Sequence, residues 1–163
     1  MPILIVMAGA PASGKSTIAD EIADAFGFEI VCPDDIREEL FGDASIQRDG
    51  DRVFNIAYAQ MRSALGAGAD VIFDATNCRR KARRKVLSQA DDLFETAVCA
   101  FSSTDLDTCL ARNAARNRKV PEDVIERMYS NLMNCLPDTD EGFDYVVDVE
   151  DLFDLLEGFA TLS

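Results

Sequence analysis

Gly9-Ala10-Pro11-Ala12-Ser13-Gly14-Lys15-Ser16-Thr17 matches the pattern G-x-x-x-x-G-K-[ST] in full. It joins the apolar run Ile3–Ala8 to Lys15–Phe26, a stretch of helical spacing. Glycine at Gly9 and Gly14 lets the backbone turn tightly enough for successive N–H groups to point inward at phosphate oxygens. Lys15 then supplies a point charge toward the β- and γ-phosphates, the Ser16 hydroxyl is placed to ligate Mg²⁺, and the helix N-terminus adds its dipole. The pattern therefore reads as a nucleoside triphosphate site. The structural alternative is a glycine-rich turn that only caps a helix.

Outward from this loop, short apolar runs at Ile3–Ala8, Glu29–Cys32, Asp70–Asp74, Thr96–Phe101 and Tyr145–Val149 have the length and β-branched content of buried strands. Helical spacing fills the intervals: Lys15–Phe26, Asp35–Phe41, Asp51–Leu65, Arg79–Leu93, Asp105–Asn117 and Pro121–Asn134, then Leu152–Phe159 after the last strand. Strands separated by helices cannot form simple hairpins, so a mainly parallel five-stranded sheet with helices on both faces is expected, a three-layer α/β/α arrangement. Ligands of such sheets bind beyond the carboxyl ends of the strands, which is where chemistry is sought.

The chain has 163 residues, enough for one domain spanning 1–163, and no repeat or Pro/Gly/Ser-rich linker divides it. Thirty acidic against sixteen basic residues give a net charge of -14, so the surface as a whole repels nucleic acid and anionic lipid, and any polyanion must be gripped locally. Histidine is absent and the five cysteines form no C-x-x-C pair, which excludes histidine-based zinc sites, His-dependent triads and a disulfide scaffold. With no basic N-terminal region and no apolar run of membrane-spanning length, a cytoplasmic protein with free thiols and no membrane partner is expected.

Two carboxylate segments follow strands. In Pro33-Asp34-Asp35-Ile36-Arg37-Glu38, Asp35 as N-cap with Glu38 three residues on resembles a capping box. That leaves Asp34 at the strand end, facing the crevice, where it is a candidate to accept a proton from an attacking hydroxyl. Arg37, one turn on, is a candidate for an acceptor phosphate. In Val71-Ile72-Phe73-Asp74-Ala75-Thr76-Asn77, an acid after a hydrophobic strand beside a phosphate loop is the arrangement that holds Mg²⁺. The alternative is an Asp and an Asn serving turn geometry.

Ten of the sixteen basic residues fall in two runs, Arg79 to Lys85 and Arg112 to Lys119. Read as helical, Arg112 and Arg116 share a face, where like charges cost about 0.2–0.5 kcal/mol unless an anion lies between them. A triphosphate would serve, and an arginine over the transferring phosphoryl group would stabilise the transition state. In the first run, basic residues open a helix against its dipole, so a phosphate-bearing acceptor or ion pairs with surface acids should compensate. No aromatic residue lies inside that run to stack on single-stranded nucleic acid.

The loop Gly9 to Thr17, Asp34-Asp35-Ile36-Arg37, Asp74-Ala75-Thr76-Asn77, Arg112-Asn113-Ala114-Ala115-Arg116, Val120-Pro121 and Arg127-Met128-Tyr129 together resemble the kinase domain of the phage-type polynucleotide 5′-kinase family, in the same order from Ile3 to about Asn134. The resemblance implies a P-loop kinase fold with a helical lid at about 104–135 and transfer of the γ-phosphoryl group of ATP, with Mg²⁺, to a hydroxyl. It makes Lys15 and Ser16 the ATP and Mg²⁺ residues within a loop of Gly9, Ala10, Pro11, Ala12, Ser13, Gly14 and Thr17, and Asp34 the base. It makes Arg37 a contact for acceptor phosphate, Arg116 the lid arginine and Arg112 its partner. Thr76 and Asn77 fit the acceptor side, with Arg79 beside them. Ala12 stands where the family usually has glycine, and Asp74 is offset by one position from the family's triplet. The expected acceptor is a 5′-OH polynucleotide end. The alternatives are a small alcohol such as a nucleoside, sugar or antibiotic, or an ATP-binding switch that phosphorylates no acceptor.

Overall fold

The computed structural model describes residues 2–44 and 49–162. In chain order these form β1 (Ile3–Ala8), α1 (Lys15–Phe26), β2 (Glu29–Val31), α2 (Pro33–Phe41), α3 (Gly50–Gly66), β3 (Val71–Asp74) and α4 (Arg80–Ser88). Then come β4 (Thr96–Phe101), α5 (Leu106–Ala115), α6 (Glu122–Asn134), β5 (Tyr145–Asp148) and α7 (Leu152–Leu162), with single 3₁₀ turns at Thr139–Glu141 and Val149–Asp151.

The five strands form one sheet in the order β2-β3-β1-β4-β5, every pairing parallel. Val6 on the central strand lies opposite Phe73 on one side and Cys99 on the other. Because side chains alternate along a strand, β1 serves two cores at once. Leu4, Val6 and Ala8 pack with Val53, Ala57 and Met61 of α3 and Val86 of α4. Ile5 and Met7 pack with Ala19 and Ile22 of α1 and Leu152 and Leu156 of α7. A smaller cluster of Ala10, Cys109 and Ile125 seats α5 and α6 against the glycine-rich loop. This is the three-layer α/β/α architecture of P-loop kinases, and it sets the loop at the carboxyl end of the central strand, where the sheet order reverses direction.

Three expected boundaries move, each for a local reason. Helix α2 begins at Pro33 with Cys32 as its N-cap, and no side chain caps it. Proline at the first helical position needs no N–H partner, so the helix starts two residues before Asp35, which is not the cap. Helix α4 stops at Ser88 rather than Leu93; Asp91 and Asp92 would place negative charge at the negative end of its dipole. Helix α5 ends at Ala115, and Arg116 is an extended C-cap with φ -93° and ψ 158°. Arg112 and Arg116 therefore do not share a helix face.

Candidate functional site

The loop from Gly9 to Gly14 is shaped by contacts that its sequence demands. Gly9 N–H donates to the Thr76 carbonyl at 2.8 Å. A Cβ on Gly9 would meet Ser13 Oγ at 2.7 Å. Gly14 has φ 92° and Ala12 φ 64°, both in the left-handed region. Alanine is strained there, which explains why related loops favour glycine at that position. The Ser13 carbonyl accepts from Thr104 Oγ1 at 3.0 Å, Ser102 Oγ at 3.3 Å and Arg112 Nη1 at 3.1 Å. Arg112 thus rests on the loop's backbone. Ala10 is buried and Pro11 partly so, while Ser16 and Thr17 are exposed in the first turn of α1. That helix opens at Gly14 with no side-chain cap, so its first N–H groups remain available to an anion.

Asp74 closes this half of the site. It is buried, its Oδ2 accepts from Ser16 Oγ at 2.8 Å, and its Oδ1 lies 3.7 Å from Lys15 Nζ. Asp74 Oδ1 has no hydrogen-bond donor among the described residues. An orphaned buried carboxylate oxygen beside a serine hydroxyl is a donor set suited to a hard divalent cation that takes its other ligands from phosphate and water. Among the described residues no group of three or more His, Cys, Asp or Glu forms a metal cage, as expected when the protein supplies so few ligands.

Asp34 and Asp35 both lie in the first turn of α2, one strand over. Asp34 is half-buried, with Oδ1 2.7 Å from Arg37 Nη1 and Oδ2 3.8 Å from Arg118 Nη2. Asp35 is pushed above the usual carboxylate range by burial and then by the charges of Asp74, Asp34 and Glu38, with Arg118 opposing. Burial, followed by the charge of Asp74 and the neighbouring aspartates, raises the Cys32 thiol to about 11. That thiol therefore feels all three carboxylates, which favour its protonated form. Arg37 is buried, its guanidinium lies 5.8 Å from the Phe54 ring centroid, and its Nε has no acceptor among the described residues.

Thr76, Asn77 and Arg79 meet at one wall of a cavity of about 320 Å³, together with Ala75, Cys78 and Ala82. The other walls are Phe54 and Tyr58 of α3 and Arg127, Met128 and Asn131 of α6. Arg79 caps α4 and is the cation that the first basic run gives to this cavity. Asn77 is engaged elsewhere: with φ 45° it turns its Nδ2 to the Met7 carbonyl at 2.8 Å, locking the loop to the end of β1. Sequence reasoning missed Phe54 and Tyr58, which fold in from α3 and supply the aromatic surface that the basic run lacks. Their spacing of four on a helix was the available signal.

Two further arginines of the first run are spent on ion pairs, while Lys81, Arg84 and Lys85 are exposed. Arg80 Nη1 lies 3.1 Å from Asp140, and Arg83 is fully buried against Glu141 at 2.7 Å. In the second run, Asn113 is buried and pairs with both the N–H and the carbonyl of Val120, at 2.9 and 2.8 Å, folding the segment after α5 back on itself. Arg116 Nε donates to Asn113 Oδ1 at 3.1 Å. Burial and then the neighbouring Arg118 charge push the Arg116 guanidinium below its ordinary value, with the charge of Asp34 opposing them. Arg116 and Arg118 line a second cavity, of about 440 Å³, with Glu38 and the 42–44 segment.

Comparison with known proteins agrees with the architecture. A family model described as an AAA domain matches residues 4–134. The L-seryl-tRNA(Sec) kinase of Methanococcus maripaludis is 25% identical over 88% of this chain and 62% of its own length. A chain of the Pnkp1/Rnl/Hen1 RNA repair complex superposes with a TM-score of 0.75 at 23% identity, covering 88% of this chain and 46% of the other. A gluconokinase of Sinorhizobium meliloti superposes with a TM-score of 0.61 at 22% identity, covering 99% and 93%. The chain thus spans less than two thirds of the first two, and the likeness to the solved structures is one of fold. No helix among the described residues is long and apolar enough to cross a membrane.

Proposed function

This chain belongs to the AAA domain family, and from that premise we propose that it is an ATP-dependent phosphotransferase whose acceptor is the 5′-hydroxyl of a polynucleotide end. The observation that carries this reading is the pairing of Asp74, at the end of β3, with Ser16 and Lys15 of the loop, while Asp34 and Arg37 pair in the helix that follows the neighbouring strand β2, close enough for Asp35 beside them to sense the charge of Asp74. The loop amides and Lys15 bind the β- and γ-phosphates. Ser16 and Asp74 hold Mg²⁺, which neutralises phosphate charge when bound. The helical segment 104–135 acts as a lid and brings Arg116 over the γ-phosphate.

Asp34, oriented by Arg37, takes the proton of the acceptor hydroxyl as its oxygen bonds to the γ-phosphorus. The bond from that phosphorus to the bridging oxygen breaks, and ADP leaves. Phosphoryl transfer asks little covalent work of the protein, so placing and neutralising these groups accounts for most of the catalysis. The aromatic and basic lining of the 320 Å³ cavity supports a terminal nucleoside seated on Phe54 and Tyr58, with Arg79 and Arg127 toward phosphate. The seryl-tRNA kinase is named for a hydroxyl carried on an RNA and the gluconokinase for a sugar acid, so both acceptor classes occur among the relatives. The small size of the cavity is the observation that favours a second reading, a small alcohol acceptor.

Incubation with labelled ATP and, separately, a 5′-OH oligonucleotide and a panel of small alcohols tests the proposal. Label is expected on the oligonucleotide, with transfer abolished by Lys15→Ala together with ATP binding, and abolished by Asp34→Ala with ATP binding kept. Near-normal turnover of Asp34→Ala would remove the base assignment. Label on small alcohols alone would change the acceptor, and tight ATP binding with no product from any acceptor would make the protein a nucleotide switch.

A further inference from the structure

Arg83 is the largest fully buried side chain of the chain, and it is charged. Burial opposes its charge, and the hydrogen bonds and charge of Glu141 more than offset that, so the guanidinium is held above its ordinary value. A buried arginine that needed only neutralising would require the carboxylate alone. Arg83 does more with its fork of donors. Nε and Nη2 take the two oxygens of Glu141 at 2.7 and 2.9 Å. Nη1 donates to the Asn77 carbonyl at 3.1 Å, and Nη2 also donates to the Cys135 carbonyl at 2.9 Å.

One of those carbonyls belongs to Asn77, which lines the 320 Å³ cavity, and the other to Cys135, at the end of the helix that lines it with Arg127, Met128 and Asn131. Asn77 lies in the wall that runs from Ala75 to Arg79, and that wall is stitched to the phosphate loop through Gly9 N–H to Thr76 and Asn77 Nδ2 to Met7. Cys135 is the C-cap of α6. Glu141 fixes the guanidinium from a third segment, where its Oε2 also accepts the Asp138 N–H at 3.2 Å. We propose that Arg83 is a positioning residue for the acceptor: one rigid fork ties the 75–79 wall to the end of α6 and so sets the spacing in which the acceptor hydroxyl is presented. The inference rests on the reading of this cavity as the acceptor site. It assigns Arg83 no contact with substrate.

The test is Arg83→Lys, which keeps a cation for Glu141 but lacks the planar fork that reaches both carbonyls. Transfer from ATP to a 5′-OH oligonucleotide is followed well below the variant's unfolding temperature. Hydrogen exchange is read in peptides covering 75–79, 131–135 and α1. The expected result is a rise in the acceptor KM of about tenfold with the ATP KM within about twofold, and faster exchange in the first two peptides together while α1 is unchanged. ATP and acceptor KM rising in step, neither rising, or exchange that quickens in only one wall or across the whole chain would overturn it. If Arg83→Lys does not fold, Glu141→Gln, which keeps shape and one acceptor oxygen, is read by the same two measurements. If the unaltered protein transfers to no acceptor, the proposed function fails, and paired or unpaired exchange in the two walls still decides whether Arg83 couples them.

Discussion

In the run 79–85 the guanidinium groups of Arg80 and Arg83 end on carboxylates, at 3.1 and 2.7 Å. In the run 112–119, Arg112 ends on the Ser13 carbonyl, Arg116 on the Asn113 amide oxygen, and Arg118 reaches an acid, Asp34, at 3.8 Å. The two segments look alike as strings of letters. What separates them is whether an acid from elsewhere in the chain has already neutralised the charge. Asp140 and Glu141 do so for Arg80 and Arg83 and make those two part of the scaffold. The second run keeps two crowded cations, Arg116 and Arg118, beside a cavity that Glu38 and the 42–44 segment also line. Arg116, whose side chain hydrogen-bonds an amide oxygen rather than a carboxylate, is the cation of this run expected to meet the charge of the substrate.

The largest expected break in that comparison is in rate. Arg116→Met should lower phosphoryl transfer by about 10³-fold or more, in the range seen for arginines that meet the charge of this transition state. Its unfolding midpoint should hardly move, because the side chain's one hydrogen bond is to an amide. Single-turnover transfer alongside a thermal melt measures both. A variant with normal transfer, or one that loses its fold, would put Arg116 in the same class as Arg83.

The reverse pattern belongs to the first run. Arg83→Met leaves Glu141 buried without its partner, a loss of about 3–5 kcal/mol for broken buried pairs. At this chain length that lowers the midpoint by roughly 10 °C or more. Arg80→Ala, at the exposed pair with Asp140, should shift it by no more than about 2 °C. Equal shifts for the two arginines would mean that burial is not what distinguishes them.

The phosphate loop was legible because its chemistry is contiguous: one glycine-rich turn between one strand and one helix carries the signal, and the alternation of apolar runs with helical spacing carries the parallel sheet. The fate of the arginines was not legible, because Arg83 is decided by Glu141, 58 residues away. Arg116 was misjudged as helical because the helix stops where buried Asn113 captures the backbone of Val120, seven positions further along the chain. Asp35 was misjudged as a cap although Pro33 was in plain view. Proline at a first helical position is a start signal as strong as the capping box that was read in its place. The aromatic lining of the 320 Å³ cavity was invisible from the basic run itself, since Phe54 and Tyr58 come from another helix.

The smallest effect tests the reach of the second run's field. Asp35 is raised by burial first and then by Asp74, Asp34 and Glu38, and Arg118 pulls against them. A carboxyl whose folded pKa lies above its unfolded value of 3.8 favours the folded state in its protonated form. Its contribution is therefore fully present below 3.8 and is lost as pH rises through the raised value. Asp35→Asn removes that loss. Its unfolding midpoint should exceed that of the unaltered protein by about a degree or two at pH 7, and the gap should close as pH falls toward 4. In an Arg118→Ala background the opposing charge is gone, so the same substitution should gain more at pH 7. Melts of the four proteins between pH 7 and pH 4 measure this. A gain that does not depend on pH would assign the effect to packing at Asp35, and a gain unaltered by Arg118→Ala would confine that arginine's influence to Asp34.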